Sequence, residues 1–373
     1  MEIEISESKQ FPGNLIFMVA LLSGLLILYP SLNAQNADAL LLKNFRPVSI
    51  YKIPVTHVTK AAYPVIDMHS HDYAKTDAEV AQWVRNMNDC GIKKTIILTG
   101  TTGAKFDSIA QLYGKYGNRF ELWCGIDYTG YDKPGFGPAA VKELERCYKM
   151  GARGVGEEGD KGFGLYYSEP VQAIGMHFDD PRMKPLFEKC ARLHMPVNIH
   201  VADPIWMYEK MDSTNDGLMN AVTWKIDMSR PGIIGFDALI KSLENAVKNN
   251  PGTTFIACHF ANLNHDIDKL GSLLDKYPNL YADISARYAE SAPIPRRMNI
   301  FYKKYSDRLL YGTDMGFDTS MYRITFRILQ TADEHFYETG LFNYHWALNG
   351  FGLPDDILKK VYHDNAAKIL SGK

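Results

Sequence analysis

Eight short apolar runs recur along this chain, most of them followed by a stretch of helical periodicity, and that alternation leaves few folds open. The runs are VIDMHSH (65–71), TIILTG (95–100), ELWCGIDY (121–128), ARGVGEE (152–158), PVNIHVA (196–202), TTFIACHF (253–260), LYADISA (280–286) and LLYGTDM (309–315). Between them lie amphipathic segments such as AEVAQWVRNMNDCG, AAVKELERCYKMG and MKPLFEKCARLHM, several closed by Gly or Pro as helices often are. Near-continuous apolar strands separated by helices belong to a parallel sheet covered on both faces. Eight such units predict an α/β fold of the (β/α)8 TIM-barrel type over residues 61–373, with an added helical segment near 354–370. An open doubly wound sheet is the competing architecture, but no GxGxxG or P-loop pattern follows any strand.

The ends of these runs carry the chemistry. His69 and His71 close the first, and side chains two apart on a strand share a face, so both imidazoles can address one metal ion. His200 closes the fifth run, His259 the sixth and Asp314 the eighth. Active sites of such barrels form at the C-terminal ends of the strands. Each of His200 and His259 alone also fits a satisfied strand-end histidine, but four strand ends of this kind in one chain point to a common site.

With HxH after strand one, His after strands five and six and Asp after strand eight, the chain resembles the metal-dependent amidohydrolase superfamily. More narrowly, it is similar to the amidohydrolase-related branch that contains aminocarboxymuconate-semialdehyde decarboxylase and several lactone hydrolases. LLYGTDMGF and HDNAAKIL (363–370) look like that branch's strand-eight and closing-helix motifs, and the likeness covers residues 60–373. The resemblance implies one divalent ion, usually zinc, held by His69, His71, His200 and Asp314, with a water completing the shell. Imidazoles with a carboxylate and an open position suit a catalytic zinc. Asp314, beside that water, is the candidate general base, and His259 the candidate to polarise a scissile carbonyl. A second ion with His259 as ligand is the alternative, and it requires a bridging residue from strand four.

Strand four ends in GVGEEGDKG, where Glu157 and Glu158 alternate faces, so one of them points inward. That glutamate could bridge two metals, carry a proton or bind substrate; its structural reading is a salt-bridged carboxylate, for instance with Lys161. Superfamily members that place a modified lysine on this strand have no counterpart here, which favours one ion. Arg287 suits a substrate carboxylate, or an ion pair with Glu290; Arg323 has the same two readings. Trp206 and Trp224 lie in the long segment from Asp203 to Phe236, where they cap a ring-shaped substrate or pack the loop down. Asp67 orients a ligand histidine or caps backbone. The remaining histidines match no ligand position.

Charge and composition exclude other classes. The balance of 41 basic against 43 acidic residues leaves no electrostatic footprint for nucleic acid. Residues 15–29, LIFMVALLSGLLILY, are shorter than a membrane span requires and are followed by SLNAQNA, so residues 1–34 read as an export signal cleaved near Ala34 or Gln35. Three early glutamates against Lys9 disagree with a basic signal start, which leaves an uncleaved membrane anchor as the alternative. Residues 35–60 read as a polar linker. The five cysteines show no CxxC spacing and read as buried free thiols in an exported protein. A homo-oligomer is compatible with the sequence.

The expected function is a metal-dependent hydrolase that attacks a small lactone, amide or ester through a metal-activated water. The alternative is a metal-dependent carboxy-lyase of a small carboxylic acid, because the resemblance allows the same ligand set to serve decarboxylation. A non-catalytic barrel is the third reading, against which the full set of site residues argues.

Overall fold

The computed structural model describes residues 36–372. The expected export signal or anchor at 1–34 lies outside the described residues. Residues 36–45 belong to a separate unit and hold two single-turn 3-10 helices, Ala37–Ala39 and Leu42–Asn44. From Arg46 the chain forms the second unit. Its first stretch has no helix or strand, yet Thr56 anchors it by donating from N and Oγ1 to the Asp333 carboxylate at 2.9 and 2.7 Å. Among the described residues no helix is long and apolar enough to cross a membrane.

Eight strands carry the second unit: β1 (Val65–Ser70), β2 (Ile92–Leu98), β3 (Phe120–Trp123), β4 (Val155–Asp160), β5 (Val197–Val201), β6 (Phe255–Ala257), β7 (Leu280–Asp283) and β8 (Leu309–Leu310). Parallel ladders join β1 to β2 to β3, and β4 to β5 to β6 to β7 to β8. Two seams close the cylinder. At the first, Cys124 N donates to Gly154 O at 3.0 Å and Gly156 N to Cys124 O at 2.9 Å; at the second, Met68 N donates to Tyr311 O and Asp314 N to His69 O, both at 2.9 Å. The expected (β/α)8 barrel is therefore the architecture.

Local chemistry sets the helices. The Asp77–Cys90 helix opens on a capping box, in which Thr76 Oγ1 accepts from Glu79 N and the Glu79 carboxylate accepts from Thr76 N. It ends at Gly91, whose φ of 85° only glycine adopts readily. Its buried Val80, Trp83, Met87 and Cys90 recur at helical spacing and face the sheet, each large apolar side chain contributing about 1.5–3 kcal/mol of burial. Inside the cylinder a second cluster joins Ile66, Met68, Ile96, Leu98, Ile256 and Leu310 to Ala366 and Ile369 of the last helix, Asn365–Leu370, which plugs one end.

Three excursions depart from a plain barrel. After β4, short strands Gly164–Leu165 and Ala173–Ile174 form an antiparallel hairpin against Asp160, too brief for any period to reveal in sequence. The segment after β5 carries a 3-10 turn at Ile205–Met207 and the helix Leu218–Trp224 before the main helix Phe236–Asn249. The β1–β2 register shifts between Asp67 and Ser70, and the β4–β5 register between Val155 and Glu158, so simple alternation breaks next to the chemical residues. All five cysteines are buried and free.

Candidate metal centre

The strand ends bring His69, His71, Glu157, His200, His259 and Asp314 together. Close approach of the β8 end to β1 needs Gly312, where an added Cβ would lie 2.7 Å from the His69 Cβ. Two residues on, Asp314 adopts a left-handed φ of 55°, and His259 begins a left-handed turn with φ of 58° that runs to Asn262. Non-glycine residues held there are strained, as at sites that must aim a side chain.

Each imidazole has one nitrogen committed to an acceptor. His69 Nδ1 lies 2.9 Å from Asp283 Oδ2, and His71 Nδ1 lies 2.8 Å from the Leu98 carbonyl. His200 Nε2 lies 2.8 Å from the Ala202 carbonyl. His259 Nδ1 meets the Ser285 carbonyl at 2.9 Å, and the Ser285 hydroxyl proton is already given to Asp283 Oδ1. Carbonyls and carboxylates only accept, so these four nitrogens carry protons, and the other four turn into the cluster, where each can hold a second proton or face a cation.

Those inward nitrogens face carboxylate oxygens. Glu157 Oε2 lies 3.8 Å from His69 Nε2 and 3.4 Å from His71 Nε2, while Oε1 lies 2.7 Å from His200 Nδ1 and 3.3 Å from His259 Nε2. Asp314 Oδ1 stands 3.0 Å from His71 Nε2 and 3.6 Å from His69 Nε2, and Oδ2 stands 3.7 Å from His259 Nε2. His69 Nε2 is buried with no hydrogen-bond partner. Each such contact calls for a proton or a metal cation between nitrogen and oxygen, and imidazole with carboxylate is a donor set for divalent metals. The residues therefore fit a divalent ion, with His69, His71 and Glu157 as one triad and Glu157, His200 and His259 as another.

Burial lowers the His69 imidazole, but Asp283, Asp314 and Glu157 outweigh it and lift it to about 9. The facing carboxylates likewise raise His71 and His200, so these rings hold second protons that a divalent cation would have to displace. Burial raises the Glu157 and Asp314 carboxyls, and the facing histidines more than reverse this, holding both below the usual carboxylate range. Asp283 is likewise pulled down to about 2, burial being outweighed by His69. Burial lowers His259, which keeps that ring neutral. With its proton on Nδ1, neutral His259 has no N–H to offer an oxyanion, so the geometry suits its ligand role rather than carbonyl polarisation.

The other sequence candidates fall into place around this cluster. Glu157 points inward and Glu158 does not: Glu158 accepts from Tyr128 Oη at 2.7 Å and Ser168 Oγ at 2.6 Å, away from the cavity, and burial raises it to about 7. Glu158 thus does not line the cavity, unlike Glu157. Trp206 packs on Trp346 and Tyr344, with ring centroids 5.7 and 6.2 Å away, and does not line the cavity, whereas Trp224 does. Lys161 pairs with Asp203 at 2.9 Å rather than with either glutamate. Arg287 lines the cavity; Arg323 reaches the Thr59 carbonyl elsewhere. Asp67 caps backbone, accepting from His69 N and from Thr313 N and Oγ1, and so ties β1 to the β8 end.

Sequence reasoning missed Asp283. Besides His69 it receives His259 N at 3.0 Å and Asn198 Nδ2 at 3.2 Å. Its signal was an aspartate closing an apolar strand, in the same position as the residues that were recognised. Tyr73 was missed too; its hydroxyl donates to Asp314 Oδ1 at 3.3 Å. The cavity above the cluster holds about 460 Å³ and is also lined by Tyr167, Met207 and Asn220.

A fold of this type with such a strand-end cluster is the framework of the amidohydrolases. The amidohydrolase family profile matches residues 66–371, and the chain belongs to that family. No curated protein matches its sequence. Similar solved structures include 2,6-dihydroxybenzoate decarboxylase from Rhizobium, at 14% identity and a TM-score of 0.52 over 83% of this chain and 99% of that one. Dihydroxybenzoic acid decarboxylase from Polaromonas, with bound manganese and 2-nitroresorcinol, aligns at 13% identity and 0.52, covering 83% and 97%. 5-Carboxyvanillate decarboxylase from Novosphingobium aromaticivorans, with manganese and 4-hydroxy-3-methoxy-5-nitrobenzoic acid, aligns at 12% and 0.51, covering 85% and 100%. At these identities the likeness is one of fold.

Proposed function

We propose that this amidohydrolase-family chain is a metal-dependent hydrolase of a small lactone, ester or amide. The observation that carries the reading is the placement of Glu157, whose two oxygens address separate histidine pairs, Oε2 toward His69 and His71 and Oε1 toward His200 and His259. Glu157 with His69 and His71, and Glu157 with His200 and His259, would be the residues to hold one divalent ion or two, and Asp314 stands within 3.0 to 3.7 Å of three of these imidazoles. Imidazole-rich sets favour zinc, and the manganese in similar folds makes that ion the other choice. Such ions, when bound, supply Lewis acidity for a carbonyl and acidify a water at neutral pH.

The chain's own residues then do the rest. Asp314 is anionic, and its carboxylate is 21% exposed toward the cavity, so it can take the proton of an attacking water and pass it to the leaving group. The Tyr73 hydroxyl holds one of its oxygens. Asp283 keeps the His69 proton on Nδ1, and the Ala202 carbonyl does the same for His200 Nε2.

A second reading, carboxy-lyase action on a small aromatic acid, is favoured by the decarboxylases among the similar solved structures. There Asp314 would first take a proton from water or from a substrate hydroxyl and then pass it to the carbon that loses carbon dioxide. One experiment separates the two: metal-loaded protein is screened on lactones, esters, amides and hydroxybenzoates in 18O-labelled water. Label in a product carboxylate with no carbon dioxide evolved supports the hydrolase. Carbon dioxide release without label in the product replaces it with the lyase.

A further inference from the structure

We propose that the substrate carries a carboxylate, or an oxyanion of the same charge and shape, and that Arg287 is its seat. The inference rests on reading the strand-end cavity as the reaction site, and it names the substrate class for that site. Arg287 lines the cavity and is nine-tenths buried, and its one ion pair, with Glu290 as the sequence also allowed, is a long one at 3.5 Å. Nε and Nη2 donate to the neutral Asn262 Oδ1 at 2.9 and 2.6 Å, and Nη1 donates to the Ala286 carbonyl at 2.8 Å. The nearest carboxylate, Glu290 Oε1, is 3.5 Å from Nη1 and already receives the Tyr344 hydroxyl at 2.8 Å. The other Glu290 oxygen is buried without a partner, and burial raises that carboxyl.

A guanidinium has five N–H groups, and the contacts above leave one on Nη2 without an acceptor. A buried cation is poorly tolerated unless an anion compensates it. Lys161 shows the contrast within the same cavity: its charge is met by Asp203 at 2.9 Å. Arg287, with only the 3.5 Å contact to Glu290 and one N–H on Nη2 still unused, is the cation with capacity left for an anionic ligand.

Its plane is also held in advance. Asn262 sits in the left-handed turn after β6 with φ of 56°, and its Nδ2 donates to the Val201 and Ala202 carbonyls at 2.9 and 3.2 Å. The guanidinium is thus tied through Asn262 to the end of β5, which lowers the ordering cost of binding a planar anion. Tyr167 and Trp224 line the same cavity, with Lys161 Nζ 5.7 and 5.8 Å from their ring centroids, so a small, flat body attached to the anion suits the walls.

The test is equilibrium binding to the metal-loaded protein, with benzoate as probe and benzamide as its neutral isostere, measured by calorimetry. Wild type is expected to prefer benzoate by at least about tenfold, and Arg287→Gln to abolish the preference. Arg287→Lys retains charge but not the fork, and should keep only part of it; with the wild-type comparison it decides the matter if the glutamine variant does not fold. Equal wild-type affinities overturn the proposal. So does a preference that survives both Arg287 variants, as metal coordination of the probe would give, or one lost only in Lys161→Met. Because the readout is binding and not turnover, failure leaves the hydrolase reading standing, and carbon dioxide release in the labelled-water experiment leaves this one standing.

Discussion

Asp283 Oδ2 accepts from His69 Nδ1 at 2.9 Å, and the other oxygen of the same carboxylate accepts from the backbone N of His259 at 3.0 Å. One anion at the tip of β7 thereby sets the proton position on one imidazole and the backbone of the other. Carboxylates behind ligand histidines typically change metal affinity ten- to a hundredfold. Asp283→Asn is therefore expected to weaken metal retention by about 10–100-fold, read by competition with a chelator. Unchanged retention would remove Asp283 from this role.

Glu157→Gln tests the shared carboxylate. An amide has only one oxygen acceptor, so it cannot present an anionic oxygen to both histidine pairs. Metal content per chain, measured by mass spectrometry after dialysis, should fall from about two ions to one or fewer. A variant that keeps wild-type stoichiometry would show that the two pairs do not depend on Glu157.

Asp314→Asn should abolish most turnover while sparing the fold. The amide cannot accept a proton from water, and positioned general bases typically supply about 10²–10⁴ in rate. Backbone bonding at this position is through Asp314 N to His69 O, which the substitution leaves in place. Circular dichroism melting checks the fold and initial rates check the chemistry. Retained activity would move the base elsewhere.

The hairpin after β4 hangs on Asp160. Its Oδ1 accepts from Gly162 N and Gly164 N at 2.8 and 3.2 Å, and its Oδ2 faces His177 Nδ1 at 2.6 Å. The hydrogen bond to Asp160 raises the His177 imidazole above its ordinary value near 6.5. A raised folded-state value means that stabilisation is complete below the unfolded value and disappears as pH climbs through the folded one. His177→Gln should therefore cost about 1 kcal/mol at pH 5.5 and almost nothing well above the raised value. Urea unfolding across that range measures it, and a pH-independent difference would contradict the pairing.

Much of the barrel was readable because near-continuous apolar runs and amphipathic helices are local properties. His69, His71, His200, His259 and Asp314 were recognisable as polar residues ending apolar runs, where an unpartnered imidazole is costly. Which of Glu157 and Glu158 faces inward was not readable, since the register shift between Val155 and Glu158 breaks the count by two. The Lys161–Asp203 pair joins two loops and has no sequence period to betray it. Trp206 was named for the substrate side, yet the aromatic pair Tyr344 and Trp346, far along the chain, takes its ring. Asp283 looked like an ordinary strand terminus until His69 was placed beside it. What failed were contacts between distant segments, which composition and spacing do not encode.

The seam between Met68 and Tyr311 joins the earliest barrel strand to the latest. His69 and Asp314 therefore become neighbours only after nearly the entire barrel has been synthesised and wound. Pairings of such long range form late. A ribosome-bound chain lacking its final segment has the first two histidines but no eighth-strand carboxylate, so the ability to hold a cation tightly marks a finished molecule.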